Sequence, residues 1–139
     1  MAYQYKPHGR SKYKNQWCEY DGQMFQSKAE MNRYKRYLKP WSEEGLISDL
    51  RRQVRFELIP EQRINGELIE KKCVYVADFV YVDNETGKTV VEDVKGNRNT
   101  SDLAYKHFSV KRKLMLQRYG IRVKEVVVDK NGKAVVVDG

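Results

Sequence analysis

Apolar residues fall into recognisable periods only from Trp17 onward; residues 1–16 mix Tyr, Lys, Gly and Asn without a repeat and read as a flexible basic arm. Asp21-Gly22 predicts a turn between two short extended pieces. Ser27-Lys28-Ala29-Glu30 has the spacing of a capping box, in which the serine takes the N–H three residues on and the glutamate reaches back. A helix is therefore expected from Lys28, burying Met31, Tyr34, Leu38 and Trp41, turning Lys28, Lys35, Arg36 and Lys39 to other faces and ending at Pro40. Gln53 to Ile59 alternates strictly, with Val54, Phe56 and Leu58 on one side, and predicts a half-buried strand that Pro60 stops. Asn65-Gly66 predicts a turn. Residues 73–82 are nearly all β-formers and predict a central strand whose single carboxylate is Asp78.

A polar turn from Asp83 to Lys88 leads to Thr89–Lys95, the expected hairpin partner of that strand, and Gly96 ends it. Asn99, Thr100 or Ser101 can cap a long helix to Tyr119, with Leu103, Phe108, Leu114 and Met115 buried and Gly120 at the position past the helix end that favours glycine. Ile121–Val128 returns as a strand, and Asn131-Gly132 closes a terminal hairpin with Ala134 to Val137. The order is helix, three strands, helix, strand, hairpin, which predicts an α/β chain with a mixed α+β sheet. A length of 139 residues with 40% hydrophobic content suits one compact domain over residues 17–139.

The net charge of +8 is uneven. Residues 1–16 carry Lys6, Arg10, Lys12 and Lys14 and no acid, and residues 97–124 carry eight Lys or Arg against Asp102 alone. Such concentration suits a polyphosphate partner, because each neutralised phosphate releases counterions; a solvated basic face is the bland alternative. Tyr3, Tyr5 and Tyr13 interleave with the bases of the arm. No apolar run is long enough for a membrane helix or a signal peptide, and Cys18 and Cys73 show no metal-ligand spacing, so a reduced, cytoplasmic setting without a membrane is expected. His8 and His107 have no spaced ligand partner, which argues against a histidine-metal site.

Period two places Asp93 and Lys95 on one face of their strand and Val94 on the other. Two adjacent strands can then present Asp78, Asp93 and Lys95 to one small volume. Carboxylates crowded at the ends of buried strands need a cation, and hard oxygen ligands select Mg²⁺ or Mn²⁺, which binds a phosphodiester oxygen and acidifies a water. A lysine beside it can orient that water or stabilise developing charge. The plain alternative is a cross-strand Asp–Lys ion pair, which leaves the second aspartate unexplained. Tyr105, Lys106, Lys111 and Lys113, on the helix that follows, together with Arg98, are candidate DNA contacts; singly each lysine also reads as an ordinary solvated side chain.

The helix with Ser27–Glu30, the strand ending Ala77-Asp78-Phe79 and the run Val91-Glu92-Asp93-Val94-Lys95-Gly96 resemble the PD-(D/E)XK nuclease superfamily, and more closely small phage and prophage proteins of that type that carry a domain of unknown function. The resemblance spans residues 17–128 and implies a restriction-endonuclease-like core. It implies Asp78 and Asp93 as metal ligands, the Val94 carbonyl as a further one, and Lys95 as the catalytic lysine. Ala77 stands where the signature has proline, and Asp93 takes the variable acid position. Glu30 matches a helix glutamate that resolvase-like members place near the metal, while the capping box explains it equally well. Gln53 matches a cleft-lining position, with a solvent-facing residue as the alternative. Glu92, facing away from Asp93 by alternation, is expected to support the site or the fold. The implied function is Mg²⁺-dependent hydrolysis of DNA, of the Holliday-junction resolvase kind and by a homodimer, in a bacterial cytoplasm. A site-specific or mismatch nicking nuclease and an inactive DNA-binding module are the alternatives.

Overall fold

The computed structural model describes residues 16–137, so the expected arm, with its tyrosines and all but one of its residues, lies outside it. The chain enters through a tight hairpin of β1 (Cys18–Tyr20) and β2 (Gln23–Phe25), whose turn residues Asp21 and Gly22 have φ of 56° and 72°. Two positive φ values are what a two-residue turn matching the strand twist demands. Helix α1 (Lys28–Arg33) passes without a break into a π segment (Tyr34–Leu38) and then α2 (Lys39–Glu43). The expected stop at Pro40 is thus corrected. Proline lacks an N–H and its ring crowds the carbonyl four residues back; the preceding π turn, in which the Lys39 N–H reaches the Tyr34 carbonyl, opens that turn and lets the helical path run on.

Five strands form one mixed sheet in the order β3 (Ile47–Ile59), β6 (Cys73–Asp83), β7 (Thr89–Lys95), β8 (Lys124–Val128), β9 (Ala134–Val137). Only β7 and β8 are parallel, and helix α3 (Leu103–Tyr119) makes the crossover that a parallel pair requires. The chain is therefore mixed α+β, in the expected order of elements. Between β3 and β6 the chain extends into β4 (Gln62–Ile64) and β5 (Glu67–Glu70), a small ribbon with every residue exposed, turned by Asn65 and Gly66 at φ 51° and 82°. Only its turn was legible beforehand.

One core layer packs Leu58, Tyr75, Ala77, Val91, Phe108, Met115 and Val123 between the sheet and α3. The other packs Phe25, Tyr34, Leu38, Ile47, Phe79, Tyr81 and Val90 between the opposite face and the first helical run. Ala77 and Phe79, two residues apart on β6, lie in opposite layers, and so do Leu50 and the set Val54, Phe56 and Leu58 on β3. Simple period-two alternation forbids this. Both strands change face at one level, where Gln53 takes a left-handed φ of 53° beside Asp78. β3 begins at Ile47 rather than at Gln53 for the same reason: a second left-handed residue, Asp49, bulges it near its start.

Beneath the sheet, Arg33 and Glu92 form a buried two-point ion pair, with Arg33 also stacked 5.1 Å from the ring centres of both Tyr37 and Trp41. Three local expectations are corrected. Asp102 is the N-cap residue of α3, while the Asn99 side chain instead accepts from the Ser101 N–H and hydroxyl. Leu103 is 65% exposed because α3 starts beyond the edge of the core. β8 starts at Lys124, not Ile121. Gly120 takes the expected left-handed conformation (φ 68°). No helix among the described residues is long and apolar enough to cross a membrane, and both cysteines are free thiols.

Candidate active site

The ladder between β6 and β7 runs from Val82↔Thr89 to Phe79↔Glu92, after which β7 continues alongside β8 alone. Asp78 and Asp93 stand at this fork. The Val94 N–H, beyond the β6 ladder, donates to Asp78 Oδ2 at 2.7 Å. The Val94 side chain packs into the hydrophobic layers, as alternation requires when Asp93 and Lys95 face the site. The Val94 carbonyl lies at the same strand end.

From the helical side, Ser27 accepts the Glu30 N–H at 3.1 Å, so the serine half of the capping box forms. The Glu30 carboxylate turns inward instead of back. It accepts from the Ser27 hydroxyl at 3.3 Å and from Gln53 Nε2 at 3.0 Å, and it lies against Asp78. Gln53 bridges the two acids, donating also to Asp78 Oδ1 at 3.3 Å. Its left-handed backbone is what aims the amide between them, a strain held in place by the surrounding ladder. Burial, then the charges of Asp93 and Glu30, hold the Asp78 carboxyl well above the usual aspartate range. Burial likewise pushes Glu30 up, against the lowering effect of its hydrogen bonds with Asp78 and Ser27. Asp78 and Glu30 thus resist ionising together in the bare protein.

Asp93 accepts from the Tyr75 hydroxyl at 2.9 Å and from the Lys95 ammonium. Burial and the Asp93 charge push the Tyr75 phenol up, so it stays a donor. The Lys95 ammonium rests 3.6 Å from the centre of the Phe108 ring. An Asp–Lys pair thus exists, but within one strand rather than across two, and Asp78 takes no part in it. Glu92 is turned away into the pair with Arg33, where Tyr81 also donates to it.

Asp93 and Lys95 open onto a cleft of about 1060 Å³, lined also by Ser27, Lys28, Tyr105 and Lys130, with Asp78 and Glu30 behind its wall. Of the expected DNA contacts, Tyr105 lines the cleft, and Lys106, Lys111 and Lys113 do not. Arg98 is tied to Glu125 and to the Tyr105 hydroxyl. Sequence reasoning missed Tyr75, Lys28, Lys130, Arg33 and Glu125. Glu125 could have been found only through the parallel register that sets it across from Asp93.

Among the described residues no three His, Cys, Asp or Glu side chains form a ready metal cage. Mg²⁺ rarely uses one: it takes one or two carboxylates and completes its shell with water and substrate phosphate. The oxygen-only donor set of Asp78 and Asp93, with Glu30 beside them, fits such a hard cation and lacks the Cys and His ligands typical of zinc sites.

The chain belongs to the family described as Protein of unknown function (DUF1064), which matches residues 10–135. No curated protein matches it.

Proposed function

We propose that this DUF1064 member is a Mg²⁺- or Mn²⁺-dependent endodeoxyribonuclease with a PD-(D/E)XK-type core, acting on branched DNA. The observation that carries the reading is the fork at the end of the β6–β7 ladder, where the buried Asp78 lies within the field of Asp93, and Asp93 and Lys95 face an open cleft. Crowding Glu30, Asp78 and Asp93 in a buried place is costly, and a bound cation would relieve it. Asp78 and Asp93, with the Val94 carbonyl, would hold the ion, and Glu30 stands on its helical side. Bound there, a divalent cation would neutralise a phosphate oxygen and acidify a water. Gln53 and Tyr75 fix the carboxylates in place. Lys95, whose ammonium contacts Asp93, would orient the attacking water or balance charge on the phosphate. Lys28 and Lys130 at the cleft, and Arg98, Lys106, Lys111 and Lys113 around α3, supply the attraction for a polyanion.

Paired cuts across a branch point suit a two-fold dimer, working on DNA in the cytoplasm of a bacterial host. The test is a labelled four-way junction and a linear duplex incubated with the protein, with Mg²⁺ or with EDTA, beside Asp93→Ala. Metal-dependent cutting of the junction that Asp93→Ala abolishes is expected. Absence of metal-dependent cutting of any DNA removes the enzyme reading; equal cutting of both substrates removes its preference for branches.

A further inference from the structure

Tyr105 lines the cleft that holds Asp93 and Lys95, yet its hydroxyl is fully occupied. A phenolic hydroxyl has one donor and two acceptor positions. It donates to Glu125 Oε1 at 2.8 Å and accepts from Arg98 Nη2 at 3.0 Å and Arg112 Nη1 at 3.2 Å. Glu125, 2% exposed, closes the network by accepting from the same two arginines, at 3.2 Å from Arg98 Nε and 3.1 Å from Arg112 Nη1. Tyr105 therefore cannot bond a phosphate or pass a proton without dismantling this cluster. What it presents to the cleft is its ring, held edge-to-face against Phe108 with centres 5.7 Å apart.

We propose, resting on the nuclease reading, that Tyr105 is a stacking platform for a nucleobase beside the scissile phosphate, with Glu125, Arg98 and Arg112 as the positioning residues that hold the ring. Aromatic stacking takes any base, because every base has a π-face. A ring locked in advance loses little freedom when a base lands on it. Lys95 and Arg98 stand over the ring, offset at 5.7 and 5.3 Å from its centre, so a base sliding onto the ring beside them brings its phosphate among cations. A cleft of about 1060 Å³ holds more than a bare phosphodiester.

A structural role explains the cluster poorly. Buried ion pairs stabilise a fold weakly, and an apolar side chain at 105 would pack against Phe108 as well. Loop, strand and helix instead each send a charged group to one hydroxyl at the cleft wall. The consequence is a substrate class. Bases inside a continuous duplex are stacked on both faces, so only a base that is unpaired or splayed at a branch can reach Tyr105.

The test places 2-aminopurine, whose fluorescence is quenched by stacking, at an unpaired position beside the branch of a four-way junction. Binding is measured in EDTA, so no cleavage is required. The wild-type protein quenches the probe; Tyr105→Leu abolishes most of the quench and weakens binding about 5- to 150-fold. Glu125→Gln, with an unchanged melting profile, gives an intermediate quench, and Tyr105→Trp retains it. Equal quenching by wild type and folded Tyr105→Leu overturns the proposal, as does equal quenching of a probe inside a paired duplex. If Tyr105→Leu does not fold, loss of the quench in Tyr105→Trp overturns it instead. Quenching without cleavage removes the nuclease reading alone, and metal-dependent cleavage without quenching removes this inference alone.

Discussion

Arg33 and Glu92 meet in a two-point ion pair, Nε to Oε1 at 2.9 Å and Nη2 to Oε2 at 2.7 Å, with side chains 5% and 0% exposed. The pair ties α1, which carries Glu30, to β7, whose next residue is Asp93. Breaking a buried pair from one side leaves an uncompensated charge, whereas replacing both partners with apolar groups removes the problem. Arg33→Met or Glu92→Leu alone should cost about 3–5 kcal/mol in urea unfolding. The double variant should recover most of it.

Asp78→Asn should separate stability from activity. The folded carboxyl titrates above its unfolded value, so the folded protein holds the proton more tightly. Stability of the metal-free wild type is therefore lost as pH rises from about 4, the unfolded value, through the raised folded one. The asparagine variant lacks that slope and should melt higher than the wild type at pH 7, with the gap closing as pH falls. Its cleavage should be at least ~100-fold slower. Thermal melts across pH, beside a cleavage assay, check both.

Metal should act on stability through the same residues. Mn²⁺ or Mg²⁺ at about 100 times its dissociation constant should stabilise the wild type by about 2.7 kcal/mol. Asp78→Asn and Asp93→Asn should show little shift in a melting titration.

Lys95→Met should slow single-turnover cleavage by about 10²–10³, the usual size of one lost electrostatic contact in a reaction centre. Binding of the junction in EDTA should change only a few-fold, since the phosphates have other cations. A parallel collapse of binding would make Lys95 a DNA anchor rather than part of the chemistry.

The periods along the chain were enough to place most elements, and to set Asp93 and Lys95 on one face. They could not show the change of face at Gln53 and Asp78. Residues 73–82 are apolar on both faces to either side of Asp78, so no alternation registers the slip, and a left-handed glutamine carries no sequence signal. Arg33 sits among outward lysines in the sequence; what buries it is a partner 59 residues away. Glu30 fitted two rules at once, and the structure shows the serine half of the cap formed while the Glu30 carboxylate turns toward Gln53. Pro40 obeyed the rule for helix ends until a π turn made room for it.

The β4–β5 ribbon leaves the sheet at Ile59 and Cys73, roughly 20 Å of strand beyond Gln53 and Asp78. Its tip, Asn65-Gly66, is exposed, and no described core cluster includes the ribbon. That makes it a handle. A fluorophore, an affinity tag or a tether to a surface can be attached there, so that a single molecule can be watched on a branched DNA while its cleft stays untouched.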